Sequence, residues 1–203
     1  MSAKNMKKIA VFASGTGTNY AALKAYERQG QYHIALLVSD RPGAPVTERA
    51  VRDGVPVFAE TFKGHIERDQ FERRVHEQLY SLQVDLIVLA GYMRLIGETL
   101  LAAYPWHIVN IHPSLLPAFP GREAIAQAYA YGVKITGVTV HLVDAGLDRG
   151  PIVAQQALEV VETETVEELT ARIHQIEHAL YPSIVARLLH QPYRVRGRRF
   201  EWM

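Results

Sequence analysis

The sequence predicts an α/β fold built on a doubly wound, mainly parallel sheet, and three observations carry that expectation. Short apolar runs alternate with amphipathic stretches through most of the 203 residues. The runs are continuous, as expected of strands buried on both faces. A glycine-rich turn, Ser14-Gly15-Thr16-Gly17-Thr18, follows the first run where a strand hands over to a helix. Strand–helix alternation of this kind implies parallel strands with helices packed on both faces.

The elements follow in order. Ile9 to Ala13 reads as a buried strand, and Asn19 through Gln29 as a helix stopped by Gly30. Ile34 to Val38 is a second strand. Pro45 opens a helix at its first turn and Gly54 closes it. Val55 to Phe58 is a short third strand, and Ile66 to Leu82 a charged amphipathic helix. Leu86 to Ala90 is the most apolar strand and is expected at the centre of the sheet. Gly97 to Tyr104 is a short helix, Ile108 to His112 a strand, and Ala124 to Tyr131 another helix. The rhythm then changes: Gly137 to Val143 and Ile152 to Val160 are strands joined by a loop, which implies an antiparallel element at one edge. Thr165 to His190 is a long C-terminal helix with an apolar stripe at Leu169, Ile173, Ile176, Leu180, Ile184 and Leu188. No repeat and no Pro-, Gly- or Ser-rich linker divides the chain, so residues 1–203 are expected to form one domain.

Composition narrows the function classes. A chain of this length buries roughly 70% of its unfolded surface, enough for a core without staples. Lys plus Arg is 22 and Asp plus Glu is 21, so bulk charge gives no reason to expect nucleic acid or membrane as a partner. The basic run Arg194, Arg196, Arg198 and Arg199 reads as a solvated last strand or tail. The absence of cysteine excludes disulfides, thiolate metal sites and a cysteine nucleophile. The start from Met1 to Lys8 is followed by too short an apolar run for a signal peptide, and no window has the length of a membrane span. A cytoplasmic enzyme is expected.

Two places carry chemistry. The turn at Ser14 to Asn19 combines glycines, which let a backbone approach a ligand, with the N–H groups of a helix start, a combination suited to phosphate. Gly15 and Gly17 fit the first two positions of a dinucleotide fingerprint, and Asp40 ends the second strand where its acid is expected. Tyr20 stands at the third glycine, however, which favours a phosphomonoester over NAD. The alternative is a capped helix with no ligand. The second place is Asn110 and His112. Two apart in a strand, they share a face, and Pro113 ends the strand just beyond them. An amide and an imidazole side by side can donate to one oxygen and so suit a tetrahedral oxyanion. Histidine can also move a proton near neutral pH. Asp148, in Asp144-Ala145-Gly146-Leu147-Asp148-Arg149-Gly150, would fix such an imidazole if the fold brought the two together.

Asn110-Ile-His-Pro-Ser-Leu-Leu-Pro117 followed by Leu147-Asp148-x-Gly150 resembles the signature of the folate-dependent formyltransferases. Ser14-Gly-Thr-Gly-Thr-Asn19, Leu89-Ala-Gly-Tyr-Met-Arg-Leu-Ile96 and Glu177-His-Ala-Leu-Tyr-Pro182 narrow the resemblance to the glycinamide ribonucleotide (GAR) transformylase family, from about Lys8 to about Leu189. It implies formyl transfer from 10-formyltetrahydrofolate, as co-substrate and without a metal, to the amine of glycinamide ribonucleotide in purine biosynthesis. It implies that Gly17, Thr18 and Asn19 hold the substrate phosphate and Glu177 its ribose. Arg68, Met93, Arg94, Leu95 and Ile96, with Asn110, are implied to contact the folate. Asn110, His112 and Asp148 are the implied catalytic set, with Asp148 raising the histidine pKa. The expected partners are these two small molecules, with neither nucleic acid nor membrane, in a monomer or homodimer. The chain departs from some relatives at Arg122-Glu123-Ala124, at Asp144 to Gly146 and at Arg149.

Rival readings remain. The methionyl-tRNA formyltransferase and the formyltetrahydrofolate deformylase share the core motifs, although the relatives of the first add a C-terminal tRNA-binding domain and those of the second an N-terminal regulatory domain; sugar-nucleotide formylation in the same fold is a further alternative. A non-enzymatic phosphate or nucleotide sensor would need only the glycine loop. His174-Gln175-Ile176-Glu177-His178 fits an inverted zinc-protease motif, but only Glu201 follows as a third acid ligand, so substrate-facing or solvated polar residues are favoured there. A cis bond at Leu116-Pro117 would suit the tight turn after the catalytic strand.

Overall fold

The computed structural model describes residues 6–203; residues 1–5, weighed above in judging the chain start, lie outside it. Among the described residues, six helices and nine strands follow in the order β1 (Lys7–Phe12), α1 (Thr18–Gly30), β2 (Tyr32–Ser39), α2 (Pro45–Arg52), β3 (Val57–Ala59), α3 (Gly64–Leu82), β4 (Leu86–Leu89), α4 (Glu98–Ala103), β5 (Ile108–His112), α5 (Ala124–Tyr131), β6 (Ile135–Leu142), β7 (Ile152–Glu159), α6 (Val166–His190), β8 (Tyr193–Arg196) and β9 (Arg199–Trp202). Seven strands form one sheet in the order β3-β2-β1-β4-β5-β6-β7, with β4 at its centre. The pairs from β3 to β5 are parallel, and β5–β6 and β6–β7 are antiparallel.

Helices cover the sheet on both sides because successive strand side chains point to opposite faces. Ile9, Val11, Leu86, Val88, Val109 and Ile111 pack on one side with Tyr20 and Leu23 of α1, Val46 of α2, and Leu169, Ile173 and Tyr181 of α6. Ala10, Phe12, Ile87, Leu89 and Ile108 pack on the other with Phe71, Val75 and Leu79 of α3 and Leu100 of α4. Beyond β4 this second face turns polar. Asn110 and His112 on β5 pair in register with His141 and Thr139 on β6, and the loops after both strands fold over them.

Three expectations need correction. Gly30 is the last residue of α1, and the left-handed residue that ends the helix is Gln31, at φ 52°. Gly30 is needed for a different reason: any Cβ there would run into the Tyr32 ring. The buried stripe of α6 continues through Glu177, Tyr181, Val185 and Leu188, while Ile176, Leu180 and Ile184 are only partly buried. Two polar groups therefore lie on the inward face, each with a partner. The Tyr181 hydroxyl lies 2.7 Å from Leu89 O and 3.0 Å from Val109 O, donating to carbonyls of two neighbouring strands. Finally, the basic C-terminal run is an antiparallel hairpin, β8–β9, turning at Gly197. Its aromatics hold it, with Tyr193 stacked on Phe200, Phe200 edge-on to Trp202, and the Arg187 guanidinium 4.0 Å from the Trp202 ring centre.

Candidate active site

The site is built from two loops at the carboxyl ends of parallel strands and from the polar patch on β5 and β6. In the patch, four groups expected or newly seen come together. His112 is 4% exposed. Its Nε2 lies 2.8 Å from Phe119 O, and its Nδ1 lies 3.5 Å from Asp148 Oδ2. A carbonyl and a carboxylate both accept, so each ring nitrogen faces an acceptor. Asp148 Oδ2 also accepts from the Gly121 N–H at 2.7 Å. The loop bearing Asp148 reaches back over the strands because Gly150 can pass the Leu142 carbonyl; any Cβ there would collide with it. Asp148 itself adopts a left-handed φ of 51°, a conformation that aspartate tolerates better than most residues.

His141 was not anticipated. Its Nε2 lies 3.7 Å from Asp148 Oδ1 and 3.1 Å from Asn110 Nδ2, and its Nδ1 faces Leu142 O at 2.9 Å. An Nδ1–H bound to that carbonyl leaves Nε2 free to accept from Asn110. One Asn110 amide hydrogen is then used, and the second remains for another acceptor. Burial pushes the Asp148 carboxyl up, but the neighbouring His141, the Gly121 N–H and the nearby His112 together outweigh it, and the group sits below its ordinary range. The patch thus holds an ionised carboxylate between two imidazoles, next to an amide with a spare hydrogen. The strand pattern held a signal for His141: Thr139 and His141 alternate with Val138, Val140 and Leu142, so they share the face of Asn110 and His112.

The glycine loop lies at the start of α1. Gly17 is its N-cap at φ 77°, without a side-chain cap, so the first-turn N–H groups of α1 are left for another acceptor. A Cβ on Gly17 would stand 2.5 Å from Val46 Cγ2. Thr18 is exposed. Asn19 Nδ2 donates to Glu177 Oε2 at 3.1 Å, while Asn19 Oδ1 is buried without a partner. The fold therefore unites Asn19 with Glu177, 158 positions away. Burial pushes the Glu177 carboxyl up to about 7, against the lowering effect of the Asn19 amide.

The third group lies at the end of β4. Met93 and Leu95 expose apolar side chains, whereas Ile96 is turned into the core. Arg68 reaches this segment from α3 with its Nε buried and without a hydrogen-bond partner, 3.9 Å from Asp69 Oδ1. Arg94 Nε donates to Asp40 Oδ2 at 2.8 Å, so part of this guanidinium is already engaged. Glu72 fixes the far end of the segment, accepting from Gly97 N at 2.5 Å and Leu100 N at 3.4 Å at the start of α4.

Leu116-Pro117 is cis, as the turn suggested. Ser114 Oγ donates to Ala118 O at 2.6 Å, and Thr139 Oγ1 receives the Leu116 N–H at 3.0 Å, so both hydroxyls serve the turn. The His174 and His178 rings stack 6.2 Å apart, and Glu177 faces Asn19. Among the described residues, no group of three or more His, Asp or Glu side chains converges as metal ligands.

The family model described as formyl transferase matches residues 7–185. A phosphoribosylglycinamide formyltransferase of Bacillus subtilis (strain 168) is 52% identical over 186 residues, covering 91% of this chain and 95% of that protein. The crystal structure of a phosphoribosylglycinamide formyltransferase from Bacillus halodurans matches with a TM-score of 0.86 at 50% identity, over 91% of this chain and 96% of the other. That of glycinamide ribonucleotide transformylase 1 from Symbiobacterium toebii matches with a TM-score of 0.92 at 43% identity, over 98% and 95%.

Proposed function

The chain belongs to the formyl transferase family, and from that premise we propose that it transfers the formyl group of 10-formyltetrahydrofolate to the primary amine of glycinamide ribonucleotide, in the cytoplasm, as a step of purine biosynthesis. One observation carries the reading: the Asp148 carboxylate lies between His112 and His141 on the strand face that also bears Asn110.

The uncapped start of α1 at Gly17, Thr18 and Asn19 takes the substrate phosphate, and Glu177 takes ribose hydroxyls. Anchored at both places, the substrate presents its amine to the patch. The exposed Met93 and Leu95, the backbone around them and the Arg68 guanidinium receive the folate. The amine nitrogen attacks the formyl carbon. The formyl oxygen becomes an oxyanion, accepting the spare Asn110 hydrogen and the His112 Nε2–H that now rests on Phe119 O. Asp148 holds the charged imidazole in place. The bond from the formyl carbon to the folate nitrogen then breaks, and the attacking nitrogen's proton passes to that folate nitrogen. This chemistry calls on no metal; its gain comes from alignment of two substrates and from donors aimed at developing charge.

Asn110→Ala tests the reading. Loss of an oxyanion donor lowers turnover on the order of 10²–10³-fold. Turnover within about twofold of the parent would remove Asn110 from the mechanism.

A further inference from the structure

The acid at the end of β2 sits where a dinucleotide fold would turn it toward a sugar, yet it faces inward. Asp40 is 1% exposed. Its Oδ1 accepts from the Ser14 hydroxyl, and its Oδ2 accepts from Arg94 Nε at 2.8 Å. Ser14 Oγ accepts in turn from the Met93 N–H at 2.9 Å, and the Ser14 N–H donates to Gly91 O at 3.1 Å. Ser14 opens the loop assigned to the phosphate, and Met93 and Arg94 lie in the segment assigned to the folate. The two loops therefore meet on one buried carboxylate. A carboxylate at this depth persists only when paired and hydrogen-bonded, and its two partners come from the two subsites. Ser14 cannot move without disturbing Met93, because a single hydroxyl bonds both the carboxylate and that N–H.

We propose that Asp40 is a positioning residue that couples the two subsites: through Ser14 and Arg94, occupancy of the phosphate loop orders the folate segment, and the reverse. The proposal rests on the assignment of substrates made above. Asp40 itself touches neither substrate. A carboxylate that only braces the fold would weaken both ligands separately and leave their mutual effect unchanged.

Titration calorimetry of the full chain separates the two roles. Tetrahydrofolate, which carries no formyl group and so permits no turnover, is titrated with and without saturating glycinamide ribonucleotide. In the parent protein the ribonucleotide tightens tetrahydrofolate binding by about fivefold or more, and linkage requires the same factor when the order is reversed. In Asp40→Ala the factor falls to about one. Ser14→Ala, which keeps the Asp40–Arg94 pair and so guards against loss of folding, gives the same collapse. A parent factor of one, or variants that keep the parent factor, overturns the proposal. If the parent transfers formyl groups while the factor stays fixed, coupling alone fails; if it binds neither compound, the substrate assignment falls with it.

Discussion

Replacing Glu177 by glutamine isolates the one buried acid assigned to the substrate. Glu177 is 5% exposed, and burial pushes its carboxyl from the ordinary 4.5 to about 7. At about 1.36 kcal/mol per tenfold change in proton affinity, its ionised form carries a penalty of about 3 kcal/mol in the folded protein. The unfolded chain releases this proton near 4.5 and the folded chain near 7. Stability therefore falls as pH rises between those values, and the penalty is complete above about 7. Glutamine keeps the shape and the acceptor for Asn19 Nδ2 but cannot ionise. Every other titrating group is common to both proteins. Urea denaturation across pH should show Glu177→Gln and parent equally stable near pH 4.5, with the variant ahead by about 3 kcal/mol above pH 8. Substrate reverses the balance: ribose hydroxyls donate to the carboxylate and favour its ionised form. The parent KM for glycinamide ribonucleotide should then fall as pH rises through 7, and the variant should lose that dependence. A stability difference that stays constant from pH 4.5 to pH 8 refutes the reasoning.

Three further substitutions test the same geometry. Asp148→Asn keeps the acceptor for the Gly121 N–H but removes the charge between the imidazoles, and should lower turnover on the order of 10²-fold. Because the Asp148 carboxyl lies below its ordinary range when folded, its stabilising share is present above about pH 4 and is lost as pH falls through the folded value, so denaturation curves of parent and variant converge in acid. Gly17→Ala places a Cβ 2.5 Å from Val46 Cγ2 at a φ of 77°, and should cost about 2–4 kcal/mol of stability along with affinity for the phosphate. Gly15→Ala meets nothing within 4 Å; it should leave the melting temperature unchanged while raising the KM for glycinamide ribonucleotide, because only the bound phosphate needs that space.

Much of this was legible in the residues. Ile108–His112 and Ala124–Tyr131 have the expected bounds, since a proline after one and a glycine after the other stop each element sharply. The α6 stripe holds at Leu169, Ile173 and Leu188 but shifts by one position at Ile176, Leu180 and Ile184, because apolar periodicity counts Glu177 and Tyr181 as surface. Their burial depends on Asn19, Leu89 and Val109, partners that only the fold supplies. Asp40 was legible as an important acid but not by direction, since its two partners lie 26 positions before and 54 after it in sequence. The Asn110–His112 face was readable from period two alone, and the same rule applied to Thr139 and His141 would have found the fourth member.

Formyl transfer is tested most directly by the fate of the formyl group when two acceptors compete. Incubated with 10-formyltetrahydrofolate and glycinamide ribonucleotide in water, the protein should release one tetrahydrofolate for each formylated ribonucleotide, with little formate. Release of formate at the same rate with and without the ribonucleotide would contradict it and mark the chain as a hydrolase.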